Sequence, residues 1–295
     1  MLAITAYFAG DPLQCLAHLE AVGTRGQTPE ARRFAVEYGW DGELHRLAYE
    51  TSAHFALGHF DQARSRCRDL LSLAEPGAEI YSITTALGHA TYLAHELGEL
   101  DTAEQLVERS MAIANEQQLP ALLANTFCSR GFALVRRGFV HKGLTEIETG
   151  LTLLRAAGVV AVYGYHLLYL AQAHLEAGDV ERGLAAIAEG LALCARHQAR
   201  FHESELYRIE GELRIRRGEE AESVATLCAA LAIARRRGAR AFELRAATSL
   251  ARLLRGAGRR DEARWILEPV FGAFREGFDT TDLRVARELL DGLSH

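Results

Sequence analysis

Six glycines, Gly58, Gly98, Gly138, Gly178, Gly218 and Gly258, stand 40 residues apart. A fixed spacing of this length marks a repeat array, in which one small unit is copied and each copy contacts mainly its neighbours. The flanking residues agree, as in Leu57-Gly-His-Phe-Asp-Gln-Ala63, Leu97-Gly-Glu-Leu-Asp-Thr-Ala103 and Ala257-Gly-Arg-Arg-Asp-Glu-Ala263. Five residues after each glycine stands Ala63, Ala103, Gly143, Gly183, Ser223 or Ala263. Two helices joined by a tight turn meet closely at that point, and a large side chain there would push them apart.

Each unit reads as two helices. Ile80, Ile83, Leu87, Ala90, Ala94 and Leu97 follow helical spacing. Gly98 then ends the helix, because glycine accepts the left-handed conformation of a C-terminal cap. Asp101 is expected to cap the second helix, which runs through Ala103, Leu106, Val107, Ser110 and Ile113. Pro120 marks the border with the next unit. Five prolines in 295 residues, with Ala, Leu, Arg and Glu dominant, favour helix throughout.

These offsets resemble the tetratricopeptide repeat: small and aromatic positions in the first helix, a glycine turn, and Ala, an apolar residue and Ala in the second. The resemblance implies an all-α, tetratricopeptide-like α-solenoid. It would be a right-handed superhelix of six to seven helix pairs with a 40-residue period and a C-terminal capping helix. The standard unit is about 34 residues, so longer helices or longer loops are expected. Residues 1–39 read as an irregular N-terminal helix pair and loop, with Gly23 to Pro29 exposed. Residues 40–275 read as six repeats, and 276–295 as the capping helix, all in one continuous solenoid domain. Asp279 or Thr280 is expected to start that last helix, which runs through Leu290.

The net charge of −6 argues against a nucleic-acid-binding body. Basic clusters such as Arg235-Arg236-Arg237 lie in the second part of the chain and read as a solvated face. The five cysteines form no closely spaced pair, so a zinc ribbon or redox motif is not expected. Reduced thiols fit a cytoplasmic location. The start Met1-Leu-Ala-Ile-Thr-Ala-Tyr-Phe-Ala lacks the basic residues of a signal peptide. No apolar run approaches the ~20 residues of a membrane helix, and no membrane partner is expected. The nearest histidine pairs, His54/His59, His89/His95, His166/His174 and His197/His202, lack the i, i+4 spacing that puts two imidazoles on one helical face. No metal and no cofactor are expected. Neither a phosphate-binding loop nor a Gly-x-Ser-x-Gly nucleophile motif is present, and catalysis is not expected.

Several strings carry a narrower resemblance. They are Tyr38-Gly-Trp-Asp41, Ala56-Leu-Gly-His-Phe-Asp-Gln-Ala63, Glu205-Leu-Tyr-Arg-Ile-Glu-Gly-Glu-Leu213, Leu244-Arg-Ala-Ala-Thr-Ser-Leu-Ala-Arg252 and Glu276-Gly-Phe-Asp-Thr-Thr-Asp-Leu283. In this order they resemble the C-terminal repeat region of multidomain bacterial signalling proteins. There, an adenylate/guanylate cyclase domain or a winged-helix regulator is fused to a signal-transduction ATPase, and the helical repeats come last. The resemblance implies a non-catalytic interaction or regulatory arm.

First helices line the inner face of such a superhelix. Counting back from each glycine by helical steps predicts a lining of Tyr92, His95, Asn125, Phe132, Arg136, Tyr165, Gln172, Glu176, Glu205, Arg208, Glu212, Arg216, Arg245 and Arg252. Glu205, Arg208 and Glu212 lie at i, i+3 and i+7 and read as a salt-bridge ladder, with ligand contact as the alternative. The mixture of aromatic, amide and charged groups suits a protein or peptide partner in the groove, the chain's own effector domain among the candidates. The alternative is a small-molecule sensor holding a small polar ligand. An open groove would favour the first reading, and a compact aromatic-lined pocket closed by neighbouring units the second.

Overall fold

The structure is a computed structural model that describes residues 1–23, 41–74, 78–159 and 162–293. The string Tyr38-Gly-Trp-Asp41 therefore lies outside the described residues except for Asp41, and so does the Gly23–Pro29 loop except for Gly23. Fifteen helices occur among the described residues, and no strand. An N-terminal pair, α1 (Leu2–Ala9) and α2 (Pro12–Val22), precedes six longer pairs. These are α3 (Gly42–Ala56) with α4 (Phe60–Ser72), α5 (Ile80–Leu97) with α6 (Leu100–Glu116), and α7 (Pro120–Arg136) with α8 (Val140–Ala156). They continue with α9 (Tyr163–Ala177) and α10 (Val180–His197), α11 (Glu203–Arg217) and α12 (Glu220–Arg236), and α13 (Arg240–Gly256) and α14 (Arg260–Phe271). A last helix, α15 (Thr281–Leu293), closes the end. The chain is a tetratricopeptide-like α-solenoid.

The glycine period has a backbone cause. Gly58, Gly98, Gly138, Gly178, Gly218 and Gly258 all have φ between +73° and +88°, the left-handed region that a Cβ disfavours. A second set in the same period sits at the turns between units: Gln118, Gly158, Gln198 and Gly238, with φ of 51°, 67°, 55° and 65°. The 40-residue length comes from long helices, α6, α7 and α8 having 17 residues each, and not from long loops.

Two local expectations are corrected. Asp101 does not cap α6: the cap residue is Glu99, without a side-chain bond, and Asp101 lies in the first turn, ion-paired to Arg137 of the next unit. The final helix begins at Thr281 and runs to Leu293, beyond Leu290. Its Leu283, Ala286, Leu289 and Leu293 are buried, and it packs on α13 and α14.

Small residues set the helix spacing as the sequence implies. A Cβ on Gly143 would lie 2.5 Å from the Gly131 carbonyl oxygen, and one on Gly131 would lie 2.6 Å from the Gly143 carbonyl oxygen. Both neighbours are backbone and cannot yield. On Gly190 the same atom would meet only the Leu206 side chain, at 3.0 Å. Gly143→Ala is thus expected to destabilise by about 1–3 kcal/mol through overpacking. Gly190→Ala is expected to be neutral or stabilising by up to ~1 kcal/mol through helix propensity. Denaturant midpoints of the two variants test this, and the reverse ranking would refute it.

The ends of the array meet. Phe55 of α3 packs edge-on against Phe242 of α13, ring centroids 5.8 Å apart, and Phe60 stacks on Phe274 at 5.7 Å. Such ring pairs contribute about 0.5–1.5 kcal/mol each beyond their burial. Glu276 supplies the cap that α4 lacks, accepting from the backbone N–H groups of Asp61 (3.0 Å) and Gln62 (3.3 Å). There its carboxylate also meets the positive end of the helix dipole. On the other side, the Arg200 N–H donates to the Phe8 carbonyl at 2.6 Å, tying α1 to the α10–α11 connection. One core cluster accordingly joins Tyr7, Phe55, Tyr92, Phe242, Phe274 and Leu289. An open superhelix would leave its inner face to solvent, whereas here the first helices α3, α5 and α13 face one another across a filled centre.

Candidate functional site

The filled centre divides the interior into two chambers. At one end of the inner helices is a cavity of ≈ 520 Å³. Its wall is built from α1 (Tyr7, Phe8), α3 (Tyr49), α5 (Tyr81, Thr84, Thr85, Gly88, His89, Tyr92), α7 (Ala121, Leu122, Asn125) and α9 (Gly164, Tyr165). The ends of α8 and α10 and the segment before α11 complete it with Leu154, Val159, Leu193, Cys194, His197, Phe201 and His202. At the other end lies a polar cavity of ≈ 240 Å³, lined by His95, Glu96, Phe132, Arg136, Tyr169, Gln172, Glu176, Glu205, Arg208, Glu212, Arg245, Ser249, Arg252 and Asp282 among others. Phe55, Phe242 and the rings of Tyr92, Tyr165 and Tyr169 pack close together between them.

Of the residues expected on the inner face, Tyr92, Asn125 and Tyr165 line the first chamber. His95, Phe132, Arg136, Gln172, Glu176, Glu205, Arg208, Glu212, Arg245 and Arg252 line the second. Arg216 is exposed and lines neither. The position nine before the turn glycine was missed. In four of the six units it carries a chamber-wall residue, Tyr49, His89, Tyr169 or Ser249, and in the other two Ser129 and Ile209, which line neither chamber. That signal was available, since nine falls on the same helical face as six and thirteen. Tyr7, Phe8, Phe201, His202 and Asp282 were also missed, and they stand outside the periodic positions.

Among the described residues, the lining of the large chamber holds no Asp, Glu, Lys or Arg. Two of its histidines are neutral: burial pulls His89 and His202 down to about 4, with charge on His45 adding to the effect at His89. Burial pushes the Cys194 thiol up to about 11, so it stays protonated. Polar groups in the wall hold one another. Tyr92 Oη and His202 Nε2 are 3.1 Å apart, and His45 Nε2 and Tyr81 Oη 3.0 Å. The Tyr165 hydroxyl donates to Asn125 Oδ1 at 3.1 Å, and His166 Nε2–H donates to the same oxygen at 2.7 Å. Two donors on one oxygen fix the amide so that its NH₂ group faces elsewhere. No hydrogen bond to the described residues uses those two N–H groups.

The small chamber is built on charge. Glu205, Arg208 and Glu212 form the expected ladder along α11: Arg208 donates to both Glu205 oxygens at 2.9 Å and to Glu212 at 2.8 Å. Arg245 of α13 clamps three elements together. Its Nη1 donates to Glu96 Oε2 and its Nη2 to the Glu96 carbonyl, both at 2.6 Å, and its Nε donates to Asp282 Oδ2 at 2.6 Å. Burial disfavours the charge on Glu205, but Arg208 and Arg245 outweigh it and hold its carboxyl below the usual range. Glu96 goes the other way, pushed up by burial against the pull of Arg245. Among the described residues, no cluster of His, Cys, Asp and Glu is placed to hold a metal ion. Among the described residues, no helix is long and apolar enough to cross a membrane.

No family model matches the chain. An uncharacterized protein of Rhizobium meliloti (strain 1021) is 28% identical over 187 residues, which are 60% of this chain. The match spans only 18% of that relative's own length. In fold the chain is similar to a Rap protein complexed with Competence and Sporulation Factor, with TM-score 0.63 at 10% identity over 99% of this chain and 83% of that one. It is similar too to the apo form of RapI, with TM-score 0.58 at 10% identity over 98% and 96%. A third likeness is a Signal Transduction ATPase with Numerous Domains from Pyrococcus horikoshii that carries a tetratricopeptide repeat sensor. There the TM-score is 0.52 at 15% identity, over 95% of this chain and 44% of that one. Together these place the chain among folds of the tetratricopeptide-repeat type.

Proposed function

We propose that the chain is a sensory arm of a regulatory protein, and that its large chamber holds one compact, uncharged organic ligand. The carrying observation is the chemistry of the wall. Its volume of ≈ 520 Å³ falls within the ~300–1,000 Å³ typical of small-molecule sites. Tyrosine, phenylalanine and histidine rings supply faces for contact, and the free N–H groups of Asn125 supply orientation. A peptide would bring charged termini into a cavity whose described lining has no charge to pair with them, and an unpaired buried charge is costly. The aromatic, uncharged character of that lining favours the sensor over the peptide reading. The fold likeness to a ligand-complexed Rap protein and to an ATPase with a repeat sensor supports a regulatory setting. Ligand in the chamber would favour the closed array, because α1, α3, α5 and the Phe201–His202 segment form both its wall and the closure. A protein partner or effector domain would then read that state from the outer surface.

Two dyes test the assignment. Neutral N-phenylnaphthylamine is expected to bind and fluoresce, and anilinonaphthalene sulfonate, which adds one negative charge to a similar ring system, is expected to bind at least about tenfold more weakly. Gly88 lines the chamber and a Cβ built on it meets nothing within 4 Å, so Gly88→Phe starts its side chain in open space at the chamber wall. This variant is expected to lose the neutral dye while keeping the wild-type Tm. Equal affinity for the two dyes, or undiminished binding by Gly88→Phe, would reject the proposal.

A further inference from the structure

The small chamber has features that the large one does not explain. His95 and Tyr169 are 3% and 2% exposed and both line it. Neither ring nitrogen of His95 and not the Tyr169 hydroxyl makes a hydrogen bond. The Ser129 carbonyl approaches His95 without hydrogen-bond geometry. Buried polar groups without partners are rare, and one explanation for them is a missing ligand. Here two such groups line one cavity.

The charges around them are divided by depth. The floor carries four carboxylates, the buried Glu96 and Glu205 and the half-buried Glu212 and Asp282, about two guanidiniums, Arg208 and Arg245. Among the described residues, every hydrogen bond of those guanidiniums goes to the carboxylates or to the Glu96 carbonyl, so the floor keeps an excess of negative charge. The rim is the reverse. Arg136 and Arg252 are exposed and form no ion pair among the described residues, against one exposed carboxylate, Glu176. At a water's share of ~30 Å³, the ≈ 240 Å³ cavity has room for about eight waters, or a ligand of about eight to ten non-hydrogen atoms.

We infer that the small chamber is a second binding site, for a free amino acid bound as its zwitterion. The ammonium group enters first and meets the surplus carboxylate oxygens of the floor, with neutral His95 as a further acceptor. The carboxylate stays at the rim, where Arg136 and Arg252 offer forked, charge-assisted hydrogen bonds. The Tyr169 hydroxyl, unpaired and buried in the wall here, turns to donate to the ligand. An amine alone would leave the rim guanidiniums unanswered, and an acid alone would meet a floor of its own sign. This reading stands on different residues from the uncharged-ligand site, and neither depends on the other.

Calorimetric titration of the full chain with the proteinogenic amino acids, one at a time, tests the inference. At least one is expected to bind. Its decarboxylated amine and its deaminated acid are each expected to bind at least about tenfold more weakly. Arg136→Ala and Arg252→Ala lie at exposed positions and are expected to leave the Tm unchanged while weakening the amino acid by about tenfold or more. Tyr169→Phe removes only an unpaired hydroxyl. It is expected to keep or raise the Tm, to weaken the amino acid, and to leave N-phenylnaphthylamine binding intact. The inference is overturned if no amino acid binds, if the amine or the acid alone binds as tightly, or if all three substitutions leave the affinity unchanged.

Discussion

Lowering the pH from 7 to 5 is expected to cost the fold about 4 kcal/mol through two histidines alone. His95 and His166 are both buried, and burial first, then nearby positive charge, pulls each down to about 3. Arg136 supplies that charge at His95, and at His166 it comes from His95 and His202 only once they are protonated. In the folded chain they stay neutral to low pH. In the unfolded chain each takes up a proton near pH ~6.5. The unfolded state thus binds more protons as the pH falls through that value, and stability drops until the folded values are reached. Glu96, pushed up by burial, works in the opposite direction. Urea midpoints across this pH range measure the slope. His95→Gln with His166→Gln is expected to flatten it, and the glutamine can still donate to Asn125 Oδ1. If wild type and double variant lose stability in parallel between pH 7 and 5, the two imidazoles are not the cause.

Arg245→Ala is expected to cost about 3–5 kcal/mol, because it leaves buried carboxylates without their counter-charge. Glu96 is the one most deprived, with a side chain 7% exposed, while Glu205 keeps its pair with Arg208. The loss is also architectural. Arg245 belongs to the sixth helix pair, and its partner Glu96 to the second, 149 residues away. Without this clamp the array is expected to loosen, and small-angle scattering should give a larger radius of gyration. Arg245→Lys is expected to recover only part of the loss, since an ammonium cannot span Asp282 and both Glu96 oxygens as the planar fork does. A fully stable Arg245→Ala of unchanged radius would show that the aromatic contacts alone hold the closure.

Much of the inner wall was legible in the sequence. The turn glycines fix where each first helix ends, and counting back at the helical period reaches the face that all but Arg216 of the expected residues share. The Glu205–Arg208–Glu212 ladder was readable for the same reason, since its members are neighbours on one helix. Asp101 went wrong because a cap depends on where the helix begins, and α6 begins at Leu100. Whether the inner face forms an open groove or an aromatic pocket was left undecided by the sequence. Tyr7, Phe201 and Asp282 reach the chambers from non-periodic segments, and no repeat offset points to them.

The repeat, the turns, the close approach of paired helices and the direction each inner side chain faces are properties of one unit and its neighbour. They depend on separations of a few residues along the chain, and the sequence by itself determined them. Closure is of another kind. It follows from a small rotation at each interface, added over six pairs, and those rotations depend on packing details such as Gly143 against Gly131 in one pair and Gly183 against Leu213 in another. Only the tertiary structure decided that the sum brings Phe55 to Phe242 and Glu96 to Arg245. With that closure, one exposed groove became an uncharged aromatic chamber and a charged polar one.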